Sequence, residues 1–317
     1  MGWKTTAALG FALATAAAGA ARGERLRIAV GQQGNWDTAV SALGQGAGIF
    51  ARHGLDLDIL YTQGGAETQQ AVLARSADIG VAAGTLGALG AAARGAPLRI
   101  IAGETTGAAE LYWYVPAASA VRTAADLSGR TVAFSTLGSS SDSVLLMAAA
   151  QDGLAIRPTA TGGQPGTYTQ VMSGQVDAGW AAAPFGLDQV GGKIRIVLRG
   201  ADVKAAADET VRVIVTHAAA LADRRDALER YLAAYRETLD WMYSSPDAIP
   251  AYAKLAGVPE NIARRTRDEF FPKDALDPAR FTGLAALMAD GVAFKFLSAP
   301  LSPAQIDQIV RIEKATP

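Results

Sequence analysis

Residues 131–153 read TVAFSTLGSSSDSVLLMAAAQDG, and three kinds of patterning follow one another within them. Residues 131–135 are an apolar, partly β-branched run suited to a buried strand. Residues 137–142 form a polar loop, and a helical stretch from about Ser143 to Gln151 is closed by Gly153. The same layout stands earlier in the chain. Residues 26–30 (LRIAV) read as a strand, residues 31–37 (GQQGNWD) as a loop, residues 39–52 as a helix closed by Gly54, and residues 55–60 as a strand alternating apolar and acidic residues. Each unit then runs through a short helix and a small-residue turn to an aspartate, RSADIG at 75–80 and GQVDAG at 174–179. Two such strand–helix–strand units predict an α/β protein of two lobes, each a mostly parallel sheet flanked by helices.

Working outward, the first unit continues with a strand at 79–83, a helix at 86–93 and a strand at 98–102, and the second with a strand at 194–198. Residues 210–216 give one more strand, after which the chain is helical. Leu228, Leu232, Tyr235, Leu239 and Met242 recur at spacings of four and three, laying an apolar stripe along one helix. Further helices are expected around 246–256, 259–270, 278–297 and 303–312. The economical path leaves lobe one near 112–116, builds lobe two over 114–210 and returns near 200–211. Lobe one is then discontinuous, 21–113 plus 211–317, and the two crossings make a hinge.

The chain has 317 residues, 50% hydrophobic and 19% charged, with formal net charge −1, no cysteine and two histidines. That length supports two cores. The balanced charge gives no footprint for nucleic acid, and the absence of cysteine removes disulfides, thiolate metal sites and cysteine nucleophiles. Lys4 precedes an apolar run from Ala7 to Ala18, and Ala18-Gly19-Ala20 has the small-x-small form that signal peptidase needs. The run is shorter than the roughly 20 residues that span a bilayer, so residues 1–20 are expected to be an export signal cleaved near Ala20. Removing Lys4 takes the net charge from −1 to −2. The expected compartment is the periplasm.

Enzyme signatures are sparse. Gly191-Gly192-Lys193 runs into a strand and cannot be a phosphate loop, and residues 44–48 (GQGAG) lie inside a helical stretch, where close helix packing explains the glycines. His53 and His217 stand alone, and the serine run is no nucleophile elbow. No metal, no cofactor and no catalytic residue is expected.

The run Ser139, Ser140 and Ser141 lies between a strand and a helix start, where backbone N–H groups lack partners and the helix dipole is positive. It is suited to an anion or polar head group; alternatively, one serine caps the helix and Asp142 complements the dipole. Ligands bind beyond the carboxyl ends of parallel strands. Those ends carry Gln32, Gln33, Asn35 and Trp36, then Thr85, then Glu104 with Thr105 and Thr106, and finally Trp180, Pro184 and Phe185. Amides with an aromatic plate suit a small-molecule cleft, with Trp36 as core filler the alternative.

Several of these stretches carry a resemblance. Residues 26–30, Gly48-Ile49-Phe50 with Gly54-Leu55, residues 77–80, residues 125–132 (ADLSGRTV), residues 138–141 and residues 174–178 together resemble the substrate-binding proteins of ABC transporters for aliphatic sulfonates, taurine and nitrate, over roughly residues 25 to 240. The resemblance implies a type II periplasmic binding protein, a monomer whose lobes close on a small-molecule solute and deliver it to a permease and its ATPase. It also implies that Ser139, Ser140 and Ser141 hold sulfonate oxygens. This sequence departs in having Asp142 directly after them and Ala182-Ala183-Pro184 near the second aspartate strand.

The candidate loops contain Asp37, Glu104 and Asp142 but no lysine or arginine, so a dianion would face carboxylates with only dipoles in compensation. The expected ligand is a sulfonate- or carboxylate-bearing solute, monoanionic or zwitterionic. A nitrogen heterocycle such as a pyrimidine precursor is the alternative ligand, and a periplasmic sensory module the alternative role. An enzyme of thiamine-pyrimidine synthesis is least favoured, because relatives of that kind resemble a cysteine-bearing iron site.

Overall fold

The computed structural model describes residues 23–312; the expected export signal, residues 1–20, lies outside them. From the first described residues the chain forms β1 (Glu24–Gly31), α1 (Val40–Gly46), α2 (Ile49–Arg52), β2 (Leu55–Thr62), α3 (Gly65–Leu73), β3 (Ile79–Gly84), α4 (Thr85–Ala93) and β4 (Leu98–Thr106). After residues 107–110 come β5 (Leu111–Pro116), β6 (Thr131–Phe134), α5 (Ser140–Asp152), β7 (Arg157–Ala160), α6 (Gln164–Met172), β8 (Gly179–Ala182) and β9 (Ile194–Arg199). The chain returns through residues 200–209 to β10 (Thr210–His217), followed by α7 (Ala218–Asp223), α8 (Arg225–Ser244), α9 (Ala248–Ala256), α10 (Glu260–Arg265), α11 (Leu284–Ala293) and α12 (Pro303–Ile309).

The first sheet has the order β2-β1-β3-β10-β4, with β1 parallel to β2 and β3, and β10 antiparallel to both β3 and β4. In the second lobe β6 pairs in parallel with β7, a single parallel bridge from Val132 to Ala178 ties β6 to the entry of β8, and β5 runs antiparallel to β8 and β9. The spatial order is therefore β7-β6-β8-β5-β9. Both lobes share one plan: four strands of the local unit, with one antiparallel strand inserted between the third and the fourth. In each lobe the inserted strand is the one that directly follows a crossing.

That plan moves the first crossing. Residues 112–116 were expected to be the connection, but they lie in β5, the inserted strand of the second sheet, and the change of sheet falls at 107–110. The run LYWYV at 111–115 is apolar, aromatic and wholly buried, which is the pattern of a strand covered on both faces. The two crossings touch: the Gly107 N–H donates to the Glu209 carbonyl at 2.9 Å.

The repeated layout is otherwise as the patterning predicts. Helix α5 begins three residues earlier than expected and ends on Gly153 in the left-handed conformation (φ 62°), where glycine carries no Cβ penalty. Leu228, Leu232, Tyr235, Leu239 and Met242 of α8 are all buried against the first lobe. Gly44 sits within α1 against Thr238 and Phe50, which confirms close packing. His53 caps α2 and its Nε2 lies 2.8 Å from Glu237 Oε2; His217 Nδ1 accepts from the Ala219 N–H at the start of α7.

Candidate functional site

Carboxyl ends of strands and amino ends of helices from both lobes meet along one seam. At its inner end is a cavity of about 30 Å³ lined by Gln32, Asn35, Thr38, Gly64, Gly65, Ser135, Ser139, Ser140, Ser141, Trp180, Ala182 and Arg212, among others. A space of that size holds only one or two water molecules. Next to it, sharing Gln32 and Asn35, opens a chamber of about 480 Å³, within the range of small-molecule sites. Its walls carry six amides, Gln32, Gln33, Asn35, Gln63, Gln164 and Gln189, the rings of Tyr61 and Phe185, and the apolar Pro184, Val258 and Ile262.

The lobes already touch here. Gln164 Nε2 donates to Asn35 Oδ1 at 3.1 Å, while Gln164 Oε1 accepts from the Ala182 N–H at 2.7 Å. The Ala66 N–H in the first turn of α3 donates to Thr136 Oγ1 across the seam at 3.3 Å. Gln32 Nε2 donates to the backbone carbonyl of Gln63, so the Gln32 amide is held at the rim.

The most consequential group is one that the loop inventory omits. Arg212 enters from β10, 4% exposed, and joins three segments. Its guanidinium is ion-paired with Asp37 and Glu110, and its Nε donates to Ser140 Oγ at 2.9 Å. Asp37 follows β1, Glu110 lies in the first crossing and Ser140 opens α5, so one side chain spans lobe, hinge and lobe. The signal for it was present: an arginine inside the apolar strand TVRVIVTH has to be paired or functional.

Glu104 adds a third buried carboxyl. Thr105 Oγ1 donates to Glu104 Oε2 at 3.1 Å and lies 3.5 Å from Asp37 Oδ2. Burial, reinforced by the neighbouring Asp37 charge, holds the Glu104 carboxyl well above the ordinary carboxylate range. A proton on Glu104 supplies the donor for which Asp37 Oδ1 and Glu104 Oε1 otherwise find none.

The three serines have separate duties. Ser139 is the N-cap, its Oγ accepting from the Asp142 N–H at 3.2 Å. Ser141 Oγ bonds the Ser135 N–H at 3.0 Å and the Ser135 and Ser139 hydroxyls at 2.9 and 3.0 Å, tying α5 back to the end of β6. Of the three hydroxyls, that of Ser140 bonds to the opposite lobe, through Arg212. Asp142 lies behind them, accepting from the Gly138 N–H at 2.8 Å, with burial raising its pKa to about 6.

Of the expected site residues, Gln32, Gln33, Asn35, Ser139, Ser140, Ser141, Trp180, Pro184 and Phe185 line the two spaces. Trp36 does not. It is fully buried, edge-on to Tyr243 and Tyr252, and its Nε1 donates to Tyr243 OH at 3.0 Å, so the aromatic plate proposed there is core. Thr85, Glu104 and Asp142 sit behind the walls; Thr85 Oγ1 donates to the Thr210 carbonyl at 2.6 Å. Arg212, Glu110, Gln63, Gln164 and Gln189 were missed: Arg212 stands inside a strand, Glu110 in a crossing and Gln164 at a helix start, while Gln63 and Gln189 lie in connections outside the loops quoted from the sequence.

This architecture is that of periplasmic binding proteins. The alkanesulfonate-binding protein SsuA from Xanthomonas axonopodis pv. citri, bound to MOPS, is similar in structure with a TM-score of 0.74 at 20% identity, over 92% of this chain and 100% of that one. The periplasmic nitrate-binding protein NrtA from Synechocystis PCC 6803 gives a TM-score of 0.73 at 14% identity, over 91% and 86%. The desulfurization enzyme DSZB gives 0.63 at 16% identity, over 92% and 97%. No curated protein matches by sequence. The family model described as NMT1/THI5 like matches residues 35–249, from the Asn35 loop through both crossings into α9, and the chain therefore belongs to the NMT1/THI5-like family.

Proposed function

We propose that this protein is the solute receptor of an ABC importer: a monomer, exported to the periplasm, that captures a small organic solute between its lobes and presents it to a membrane permease with its ATPase. The observation that carries the reading is Arg212, bonded within the cleft to both lobes and to the crossing between them, so that occupancy of the cleft and closure of the lobes are coupled. The inner cavity suits a small polar head and the outer chamber an organic body, which fits the expected acid, zwitterion or heterocycle better than an inorganic ion. Gln32, Gln33, Asn35, Ser140, Trp180, Pro184 and Phe185 are the proposed contacts.

A binding role is favoured over catalysis by the placement of the reactive groups. Ser140 Oγ is held by a guanidinium, and both histidines lie outside the cleft. Closure about residues 107–110 and 200–209 is tested by small-angle scattering of the full chain with and without its copurified solute. Compaction on binding, with the solute recovered unchanged, is the expected result. A constant radius, or chemical conversion of the solute, overturns the reading.

A further inference from the structure

The walls of the cleft offer several centres of positive potential, and carboxylates stand beside three of them, Arg212 and the starts of α5 and α3, while the start of α6 presents the amide of Gln164 and no acid. Arg212 is the one guanidinium in the inner cavity's lining, and it is shared by Asp37 and Glu110, 0% and 1% exposed. The N-terminus of α5 carries Asp142 in its first turn. That of α3 carries Glu67, whose carboxylate accepts from the Gln63 N–H at 2.9 Å. At the start of α4 the space beside Gly84 is filled by the Gly138 carbonyl of the other lobe. A simple anion would meet two buried carboxyl groups already gathered around one guanidinium, and its entry would compete with both for Arg212.

Apart from the exposed carboxylate of Asp188 on the outer chamber's wall, what remains for a solute is uncharged: the O–H of Ser140, whose oxygen accepts from Arg212, the amides of Gln33 and Gln189, and the rings of Tyr61 and Phe185. Gln189 Oε1 is buried and without a partner among the described residues. Resting on the receptor reading above, we infer that the cleft selects a solute of zero net charge, uncharged or zwitterionic, recognised by hydrogen bonds to amides and hydroxyls, and that Glu110 and Asp142 are the residues that exclude simple anions.

Native mass spectrometry of the freshly isolated full chain, then calorimetry with nitrate, methanesulfonate, taurine and cytosine, tests this. The expected result is a copurified molecule of zero net charge, or measurable binding of taurine or cytosine, with nitrate and methanesulfonate at least about tenfold weaker. Glu110→Gln and Asp142→Asn, which keep shape and remove charge, are each expected to strengthen methanesulfonate binding by about tenfold. Asp142→Asn lies behind the cavity wall and serves if Glu110→Gln fails to fold. Tight binding of nitrate or methanesulfonate by the wild-type chain, with compaction, keeps the receptor and overturns the charge selection. A chain that is isolated empty and binds none of the four overturns both.

Discussion

Gly84 at the end of β3 and Gly138 ahead of the serine run face one another across the seam so closely that a Cβ on Gly84 would stand 2.2 Å from the Gly138 carbonyl oxygen. A Cβ on Gly87, one turn along α4, would stand 2.3 Å from the same oxygen. Backbone lies directly on backbone, and only hydrogen on either glycine lets the lobes close fully. Gly84 has φ −65°, which alanine adopts without strain. Gly84→Ala is therefore expected to leave each lobe folded but hold the lobes apart. Overpacking of this kind costs about 1–3 kcal/mol, so solute affinity should drop by about tenfold. Titration calorimetry and scattering check it; undiminished affinity would show that closure reaches less far than the structure indicates.

Arg212 is a structural as well as a ligand-facing group. Arg212→Met strands Asp37 and Glu110 as buried, unpaired carboxylates and is expected to destabilise the chain by about 3–5 kcal/mol. Adding Asp37→Asn and Glu110→Gln to the same chain should recover most of that loss, since the cost comes from the orphaned charges. Urea denaturation of the single and triple variants measures it, and equal instability in both would contradict the assignment.

Ser140 and Ser141 should separate cleanly. Ser141→Ala leaves the Ser135 N–H without its acceptor in a buried site, an expected stability loss of about 1–3 kcal/mol. Ser140→Ala removes the cross-lobe bond to Arg212 and is expected to weaken solute binding with little change in melting temperature. The reverse pattern would exchange their roles.

Stability should fall as pH rises from about 5.5 to 8.5. Glu209 is raised from near 4.5 to about 8 by burial and by neighbouring Asp290, and Asp142 from near 3.8 to about 6 by burial. Both hold protons in the folded chain that the unfolded chain releases, so their contribution is complete below the unfolded values and is lost as pH climbs through 6 and then 8. Carboxylates held low, such as Glu24 through its hydrogen bond with Arg224 and Glu237 through those with His53 and Arg52, lose their effect only under acid, outside this window. Urea midpoints across the range, with Glu209→Gln as comparison, test it: the variant should show a shallower decline.

Local patterning made the repeated units legible, because buried parallel strands and glycine-capped helices write themselves into short stretches such as 131–153. The inserted strand β5 was lost, since its place is set by pairing with β8 and β9 far along the chain and not by its own neighbours. The site was half legible for the same reason. Loop amides and serines announce a cleft, whereas Arg212 matters only once β10 is set between β3 and β4. Trp36 failed in the opposite direction: its fate was decided by Tyr243 and Tyr252, more than two hundred residues away in sequence.

The insertion of β10 between β3 and β4 also fixes an order of assembly. As the chain emerges from the ribosome, every strand of the second sheet is available by Arg199, while β4 still lacks its ladder partner β10. The lobe encoded first is thus the lobe completed last, with an open strand edge exposed until residues 210–217 arrive. A polypeptide built this way keeps its first sheet incomplete for about two thirds of its synthesis.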